Sequence, residues 1–232
     1  MHGKLEVIVF IILVVVLIFV ILFRQLSIKK RYKNTIYLNN IQHVTEFMIL
    51  IQSLRDYVTW VQRDQIKTQY LPIGQYFRNK TDFYKKEGKV KRFNEIFSDF
   101  DNYIIQCNRN YVKTQKEKLK QYFDNIEGKK LDEQQRTALI TDEYSNLIIA
   151  GAGSGKTLTI LGKIQYLVEQ KNINPKDILL LSFTKKTVEE LNDRLKKIEL
   201  GAEATTFHKL GYDIIKKYHP DIPALTNENT LS

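Results

Sequence analysis

The residues of this chain whose types and spacing best suit a chemical task form one glycine-rich loop. The loop reads Ala-Gly-Ala-Gly-Ser-Gly-Lys-Thr, with alanine at the first position, where the common form of the pattern has glycine. Glycines leave backbone N–H groups unobstructed around a phosphate chain, and the closing lysine and threonine add a positive charge and a hydroxyl ligand for Mg²⁺. The pattern therefore predicts an ATP–Mg²⁺ site formed by Ala150, Gly151, Ala152, Gly153, Ser154, Gly155, Lys156 and Thr157.

The elements predicted on either side of this loop are those that a phosphate site requires. Residues 146–150 form a short apolar run typical of a strand, and residues 158–171 follow a helical pattern. A helix that begins at the loop directs its partially positive N-terminus at the phosphates. We expect the Lys156 ammonium to reach the β- and γ-phosphates and the Thr157 hydroxyl to ligate Mg²⁺, which makes these two the predicted catalytic residues.

Three further blocks accompany the loop along the chain. Upstream, residues 131–136 include Gln135. Downstream, residues 178–186 have the pattern of a buried strand that enters a helix ending near residue 197, and residues 204–208 precede another helical pattern. Taken one at a time, Gln135 is a surface residue at a helix start, Phe183 is a strand core residue and His208 is uninformative.

Together, the four blocks resemble the start of the first RecA-like domain of superfamily 1 UvrD/Rep-type DNA helicases, and in particular of the helicase IV group. The resemblance covers roughly residues 110–220, and the loop followed by Thr206, Phe207 and His208 is its most specific part. It implies an α/β fold with a parallel sheet, ATP-driven 3′-to-5′ DNA unwinding and single-stranded DNA as a partner.

The resemblance also implies roles for individual residues. Gln135 occupies the position of the glutamine that recognises adenine in this family. A side-chain amide suits this role because it can hydrogen-bond both edge groups of the base. Lys185 stands where many relatives have asparagine, which keeps a phosphate contact but no finer match. The residues that match single-stranded DNA contacts, by stacking and phosphate binding, are Phe183, Thr184, Lys185, Thr206, Phe207 and His208.

An apolar run near the N-terminus predicts a membrane anchor. Residues 7–23 are uninterrupted by polar side chains, and Leu5 extends the run. As a helix the run spans roughly 28 Å, close to the thickness of a bilayer hydrocarbon core. A buried core helix is usually amphipathic, and a cleavable signal peptide carries small residues at its cleavage site, where this chain has Leu22-Phe23-Arg24. We therefore expect residues 5–23 to lie in the membrane.

Charge is concentrated in the first half of the chain. Residues 1–130 hold 23 Lys and Arg against 12 Asp and Glu, whereas residues 131–232 hold 13 against 14. The positive-inside rule predicts a single-pass protein of the inner (cytoplasmic) membrane with its soluble part in the cytoplasm. Cys107 is the only cysteine, which excludes an internal disulfide and fits a reducing compartment. The basic cluster that sets this orientation and suits anionic lipid is Arg24, Lys29, Lys30, Arg31 and Lys33.

The region between the anchor and the loop has apolar stripes of helical spacing but no chemical signature. One stripe over residues 41–61 predicts a long helix, which Pro72 and Gly74 interrupt, and others follow over residues 93–111 and 119–126. Packed helices are the favoured interpretation. A nucleic-acid platform is the alternative, because Lys and Arg interleave with the aromatic residues Tyr57, Trp60, Tyr70, Tyr76, Phe77, Phe83 and Tyr84.

Hydrolysis of ATP needs more than the loop. It uses an acidic pair at the end of a later strand, one carboxylate for Mg²⁺ and one for water. The adjacent acids after residue 157 are Glu189 and Glu190, which fall in a helical pattern and predict a solvated helix face. We therefore expect the front portion of a helicase, from a truncated gene, a fragment or a split reading frame, with negligible turnover. A separately encoded C-terminal helicase portion is a further expected partner.

The predicted organisation has three parts. Residues 1–24 are a transmembrane anchor, residues 25–130 an α-helical juxtamembrane region, and residues 131–232 a partial RecA-like P-loop NTPase domain that binds ATP. The rival hypothesis is a non-catalytic, membrane-tethered regulatory module, in which the phosphate loop senses ATP and the helical middle binds lipid or a protein partner.

Overall fold

The computed structural model describes residues 2–32, 34–78 and 87–219. Lys33, Phe83 and Tyr84, named above, lie outside the described residues. Two parallel strands are present, β1 (Leu180–Ser182) and β2 (Ala204–Thr206). The α-helices are α1 (His2–Tyr32), α2 (Thr35–Ser53), α3 (Trp60–Arg78), α4 (Gly88–Phe97), α5 (Phe100–Lys118), α6 (Lys120–Phe123), α7 (Glu133–Ile140), α8 (Lys156–Lys171), α9 (Lys185–Lys197) and α10 (Phe207–Tyr218).

The chain forms two compact units, Met1–Tyr111 and Val112–Ser232. The second unit starts ahead of residue 131, where the sequence predicts the ATP-binding domain to begin. Each unit has its own core, described in turn below.

Helix α1 is apolar and exposed. Its segment Phe10–Ser27 has a mean hydropathy of 2.8, and none of it is buried. It is the one helix of the described residues that is long and apolar enough to cross a membrane by length and composition, a test that soluble core helices and signal sequences also pass. The exposure of its side chains argues against the core-helix alternative.

The first unit has an aromatic core. The Phe47 ring on α2 packs edge-on against Tyr70 of α3 at 5.0 Å and against Phe93 of α4 at 4.9 Å between centroids. Such edge-to-face pairs add roughly 0.5–1.5 kcal/mol each beyond the area that they bury. Phe77 and Phe100 are also buried and Tyr76 is half-buried, whereas Trp60 is 48% exposed. This arrangement supports packed helices for the middle of the chain.

The prediction of one helix over residues 41–61 is wrong, because α2 ends at Ser53 and α3 begins at Trp60. The Asn108 side chain bonds both backbone groups of Val58, accepting from its N–H at 2.9 Å and donating to its carbonyl at 2.8 Å. Thr59 and Gln62 then start α3, since each side chain bonds the other residue's N–H, at 3.2 and 2.9 Å. The interruption between α2 and α3 is thus stabilised by Asn108, which is distant in sequence, and by Thr59 and Gln62, which lie within the apolar stripe.

The interruption predicted at Pro72 and Gly74 is also wrong. Both residues lie inside α3. Proline removes one helical N–H donor, but Tyr70, Ile73 and Phe77 around it are buried, and this packing holds the helix together. The absence of a Cβ at Gly74 lets the Phe97 ring approach, since a Cβ there would lie 2.7 Å from that ring.

In the second unit a tight turn follows α6, with buried residues on both sides of an exposed tip. Ile126 and Lys129 exchange backbone hydrogen bonds of 2.9 Å, and Gly128 at the tip has a φ of +74°, which a glycine adopts without strain. Phe123 and Leu131 flank the turn and are buried. The chain therefore makes a tight turn at Gly128 and folds back onto α6, where the Leu131 N–H donates to the Phe123 carbonyl at 3.0 Å.

Helices α8 and α9 cover a small parallel sheet. Strands β1 and β2 pair in register, with Leu180 opposite Ala204 and Ser182 opposite Thr206. Leu161 on α8 and Leu195 on α9 lie in the same core as Ala204. The helix predicted to end at residue 197 is found, and the strand predicted within residues 178–186 is found only at Leu180–Ser182, where it is half-buried and not buried.

The predicted strand at residues 146–150 is not formed. In the described part of the chain the segment pairs with neither β1 nor β2, and the exposed fractions of Leu147 and Ile149 are 85% and 88%. An extended segment needs a neighbour for its N–H and C=O groups to become a strand. The described fold is therefore mostly helical with a two-stranded parallel sheet, and the RecA-like sheet stays a prediction.

Candidate functional site

The glycine-rich loop contains a turn whose backbone conformation favours glycine at two positions. Gly153 and Gly155 have φ values of +74° and +81°, in the left-handed region that side chains disfavour. The Ser154 hydroxyl donates to the Gly151 carbonyl at 2.8 Å and closes the turn. The glycine spacing noted in the sequence thus matches the backbone conformation that the loop has.

The helix that follows this loop is open at its N-terminus. Three neighbouring helices are capped by side chains, namely α7 by Asp132, α9 by Thr184 and α10 by Thr206. Helix α8 instead begins after Gly155, which has no side chain to bond the first N–H groups. Those donors and the positive end of the helix dipole can bind an anion.

A lysine ammonium lies beside this open helix end. Lys156 Nζ donates to the carbonyls of Ala150 and Gly151 at 2.8 and 2.7 Å, so the side chain folds back over the loop. Thr157 is in the first turn of α8 and is half-buried. The loop therefore gathers a positive charge, backbone donors and a hydroxyl within a few residues.

Gln135 is brought to the same loop from α7. Its Oε1 accepts from the Asp132 N–H at 2.9 Å, while Asp132 accepts from the Gln135 N–H at 2.8 Å, which forms a capping box. Gln135 Nε2 also donates to the Ser154 carbonyl at 3.3 Å. A Cβ on Gly155 would lie 2.7 Å from that nitrogen. The predicted adenine reader and the phosphate loop are thus in direct contact.

A second group of predicted site residues lies where β1 and β2 end. Because the strands are parallel and in register, the residues after them, Phe183 and Phe207, emerge at the same edge. Their ring centroids are 5.1 Å apart with planes inclined by 33°. Phe183 is 85% exposed and Phe207 is 49% exposed. Exposed paired rings of this kind suit base stacking better than core packing.

The threonines of this second group have structural bonds. Thr184 accepts from the Thr187 N–H at 3.2 Å, and Thr206 accepts from the Lys209 N–H at 3.1 Å, so each caps a helix. Lys185 and His208 are exposed in the first turns of α9 and α10. Among the residues that the structure describes, no hydrogen bond or ring contact joins this group to the phosphate loop.

The acidic pair Glu189 and Glu190 lies on the exposed face of α9, as the helical pattern predicts. Glu190 Oε1 is 3.8 Å from the Arg194 guanidinium. In residues 2–32, 34–78 and 87–219, His, Cys, Asp and Glu form no group of three or more that could hold a metal ion. Thr157 stays the one metal ligand that the sequence predicts.

Three residues have positioning roles that the sequence does not predict. Lys163 on α8 donates to the carbonyls of Leu139 and Thr141 at 2.8 and 2.9 Å. Asn192 on α9 bonds both backbone groups of Ala204 in β2, at 2.7 and 3.1 Å. Their partners are backbone atoms distant in sequence, which no local motif reveals.

The third is Arg136, which is buried on α7. Its guanidinium donates to the Leu131 carbonyl at 2.9 Å and to Asp124 at 2.5 Å. The same bond lowers the pKa of the Asp124 carboxyl from its ordinary value. The sequence around Arg136 does not predict that this basic side chain is buried.

Comparison with known proteins shows what most of the second unit is similar to. Residues 131–232 match the family model of the UvrD/REP helicase N-terminal domain. The resemblance that the four sequence blocks indicate is therefore confirmed for that part of the chain.

Individual relatives belong to the same class. DNA helicase IV of Escherichia coli (strain K12) is 31% identical over 131 residues, which are 55% of this chain and 19% of that protein. ATP-dependent DNA helicase PcrA of Staphylococcus epidermidis (strain ATCC 35984) is 36% identical over 94 residues, 38% of this chain and 13% of the relative. PcrA of Staphylococcus aureus (strain Mu50) is 35% identical over 92 residues, 38% and 12%. The chain thus spans about a fifth or less of the length of these relatives.

Proposed function

We propose that this chain binds ATP–Mg²⁺ at residues 150–157 and single-stranded DNA at the Phe183–Phe207 edge, as the front part of an ATP-dependent 3′-to-5′ DNA helicase. The observation that carries the nucleotide proposal is the uncapped N-terminus of α8 beside the Lys156 ammonium. The names of the relatives, DNA helicase IV and ATP-dependent DNA helicase PcrA, support the substrate classes.

Each residue of the loop has a task in this proposal. Lys156 exchanges the carbonyls of Ala150 and Gly151 for the β- and γ-phosphate oxygens, a stronger charge-assisted pairing. The first N–H groups of α8 donate to the same phosphates. Gln135 lies at the loop where its side-chain amide can bond the edge of adenine.

The residues present fit Mg²⁺ as a companion of the triphosphate. Thr157 offers one hydroxyl oxygen from the first turn of α8. Mg²⁺ is usually held by one or two protein ligands together with phosphate oxygens and water. When bound, Mg²⁺ neutralises phosphate charge.

The nucleotide proposal is tested by calorimetric titration of the full chain, in lipid nanodiscs, with ATP and Mg²⁺. Lys156→Ala is expected to weaken binding by about 10- to 100-fold, the equivalent of a charged hydrogen bond of roughly 1.5–3 kcal/mol. Lys176→Ala, an exposed lysine in the turn Pro175–Asp177, is the matched control and should leave binding unchanged. Equal affinities for all three proteins would refute the loop as the site.

The location proposed for the chain is the cytoplasmic membrane, with α1 spanning it once and the rest in the cytoplasm. The support is the exposed apolar segment Phe10–Ser27 and the exposed basic residues Arg24, Lys29 and Lys30 near its end. The rival hypothesis of a tethered sensing module predicts the same location but no contribution of Phe183 and Phe207 to DNA binding.

Fractionation of bacterial cells that express the full chain tests this location. The protein is expected in the membrane pellet after an alkaline carbonate wash, and protease added outside spheroplasts should leave it intact. The double substitution of Leu13→Arg and Val16→Arg should release it, whereas Leu38→Arg, an exposed apolar residue of α2, should not. A wild-type chain found in the soluble fraction would contradict the anchor.

A further inference from the structure

Helix α7, which carries Gln135, is a short element with limited support of its own. It has eight residues, Glu133–Ile140, and isolated helices of that length are unstable in water. At its N-terminal end the capping box and the bond from Gln135 to Ser154 attach it to the phosphate loop. Its last carbonyls need partners as well, because no further helical turn follows to bond them.

Lys163 supplies those partners from α8. Its Nζ donates to Leu139 O at 2.8 Å and to Thr141 O at 2.9 Å, and lies 3.7 Å from an Asp142 carboxylate oxygen. A cation at a helix C-terminus also interacts favourably with the negative end of the helix dipole. One ammonium therefore bonds the last turn of α7 and the residues just after it.

Lys163 lies on the same helix as Lys156, the lysine of the phosphate loop. It stands two helical turns after Lys156, about 10 Å along the axis. Between the two lysines, Gly162 lets Leu139 approach, since a Cβ there would lie 3.1 Å from Leu139 Cδ2. Helix α7 thus contacts the loop at its N-terminal end, through Gln135, and α8 at its C-terminal end, through Leu139.

Burial makes the Lys163 bonds durable. The side chain is 24% exposed, and this desolvation lowers the pKa of the ammonium while Asp142 opposes the change. Hydrogen bonds away from solvent meet less competition from water. The ammonium also lies 5.8 Å from the centroid of the Tyr166 ring on the same helix.

We propose that Lys163 is a positioning residue for base recognition: by bonding Leu139 O and Thr141 O it holds α7 in the register that keeps the Gln135 amide at the phosphate loop. Removal of these bonds lets α7 shift relative to α8, which displaces the base-reading amide while the loop and Lys156 keep their shape. Base preference is then lost more than triphosphate affinity. This inference rests on the proposed adenine role of Gln135.

The experiment compares ATP and GTP affinities, each with Mg²⁺, by calorimetric titration of the full chain in nanodiscs. Lys163→Met retains the aliphatic stem and removes all donors. We expect it to lower the ratio of ATP to GTP affinity by roughly tenfold, with GTP affinity within about twofold of wild type. Lys163→Arg keeps charged donors and should restore the preference. Lys197→Met, an exposed lysine of α9, is the matched control and should change neither affinity.

The outcomes separate the two proposals. A wild-type chain that binds neither nucleotide refutes the proposed function. A wild-type chain that binds both equally, or a Lys163→Met chain with the wild-type ratio, refutes the positioning role alone. A parallel loss of both affinities shows that Lys163 supports the fold only and also refutes it. If Lys163→Met does not fold, Lys163→Gln, with a neutral donor, is measured instead, and an unchanged ratio overturns the inference.

Discussion

The rings of Phe183 and Phe207 lie 5.1 Å apart because each follows one of two parallel strands paired in register. The strands set the spacing, and the capping threonines Thr184 and Thr206 turn the chain into the next helix directly beside each ring. The pair is thereby presented at one edge of the sheet.

Removal of either ring should weaken single-stranded DNA binding. Stacking of a base on an aromatic side chain contributes about 1–3 kcal/mol, so Phe183→Ala and Phe207→Ala should each weaken binding by about 5- to 100-fold. Fluorescence anisotropy of a labelled oligonucleotide at several salt concentrations measures this. The effect of the double substitution should be smaller than the product of the single effects, because the rings share one stacking surface.

The control for these rings is Tyr218→Ala at the end of α10, an aromatic residue that is 70% exposed. It should leave DNA affinity unchanged. A loss at Tyr218 equal to that at Phe183 would indicate a nonspecific effect of surface aromatics and count against the Phe183–Phe207 edge.

Alanine at Gly155 should weaken ATP binding more than alanine at Gly151. The φ of +81° at Gly155 costs an alanine roughly 1–2 kcal/mol, and its Cβ would lie 2.7 Å from Gln135 Nε2. At Gly151 an added Cβ meets nothing within 4 Å. Titration with ATP and Mg²⁺ distinguishes the two variants, and similar affinities would contradict a strict conformational requirement at Gly155.

Asn192→Ala should destabilise the second unit. The Asn192 side chain bonds both the N–H and the carbonyl of Ala204, and its loss leaves two half-buried strand groups without those partners. The expected cost is about 1–3 kcal/mol, observable as a lower midpoint of urea unfolding. Asp193→Ala, at the exposed neighbouring position of α9, is the control for helix propensity. An unchanged midpoint for Asn192→Ala would show that the strand pairing does not depend on these two hydrogen bonds.

The ion pair between Asp124 and the buried Arg136 should make stability depend on acidic pH. The pair lowers the pKa of Asp124 in the folded protein, so its stabilisation is fully present above the unfolded value near 4 and is lost as the pH falls through the lower folded value. Wild type should therefore be more stable than Asp124→Asn at pH 7, and the difference should shrink below about pH 4. Thermal melts at pH 7, 5 and 3 measure it. A constant difference would exclude titration of Asp124 as the cause.

The sequence predicted the second unit best where chemistry is local. The loop conformation follows from its glycines, and β1 and α9 follow from an apolar run that enters a polar helix with a threonine cap. The strand predicted at residues 146–150 was wrong, because strand formation depends on a neighbour that residue pattern alone does not supply. The break between α2 and α3 was missed because Asn108 stabilises it from a distant position.

Likewise, the sequence predicted Gln135 as a site residue but did not predict the residues that hold it near Ser154. Proximity of Gln135 to Ser154 depends on α7 and α8 packing together, and this packing depends on Lys163 and Gly162. Contacts of this kind arise from the folded arrangement and leave no short-range signature.

The bare segment around Leu147 and Ile149 has a practical outcome for anyone who handles this protein. Leu147, Ile148 and Ile149 are three consecutive exposed aliphatic residues, and an exposed apolar stretch of this kind favours aggregation. We therefore expect polar replacements outside the phosphate loop, such as Leu147→Thr and Ile149→Lys, to raise the soluble yield of the recombinant protein.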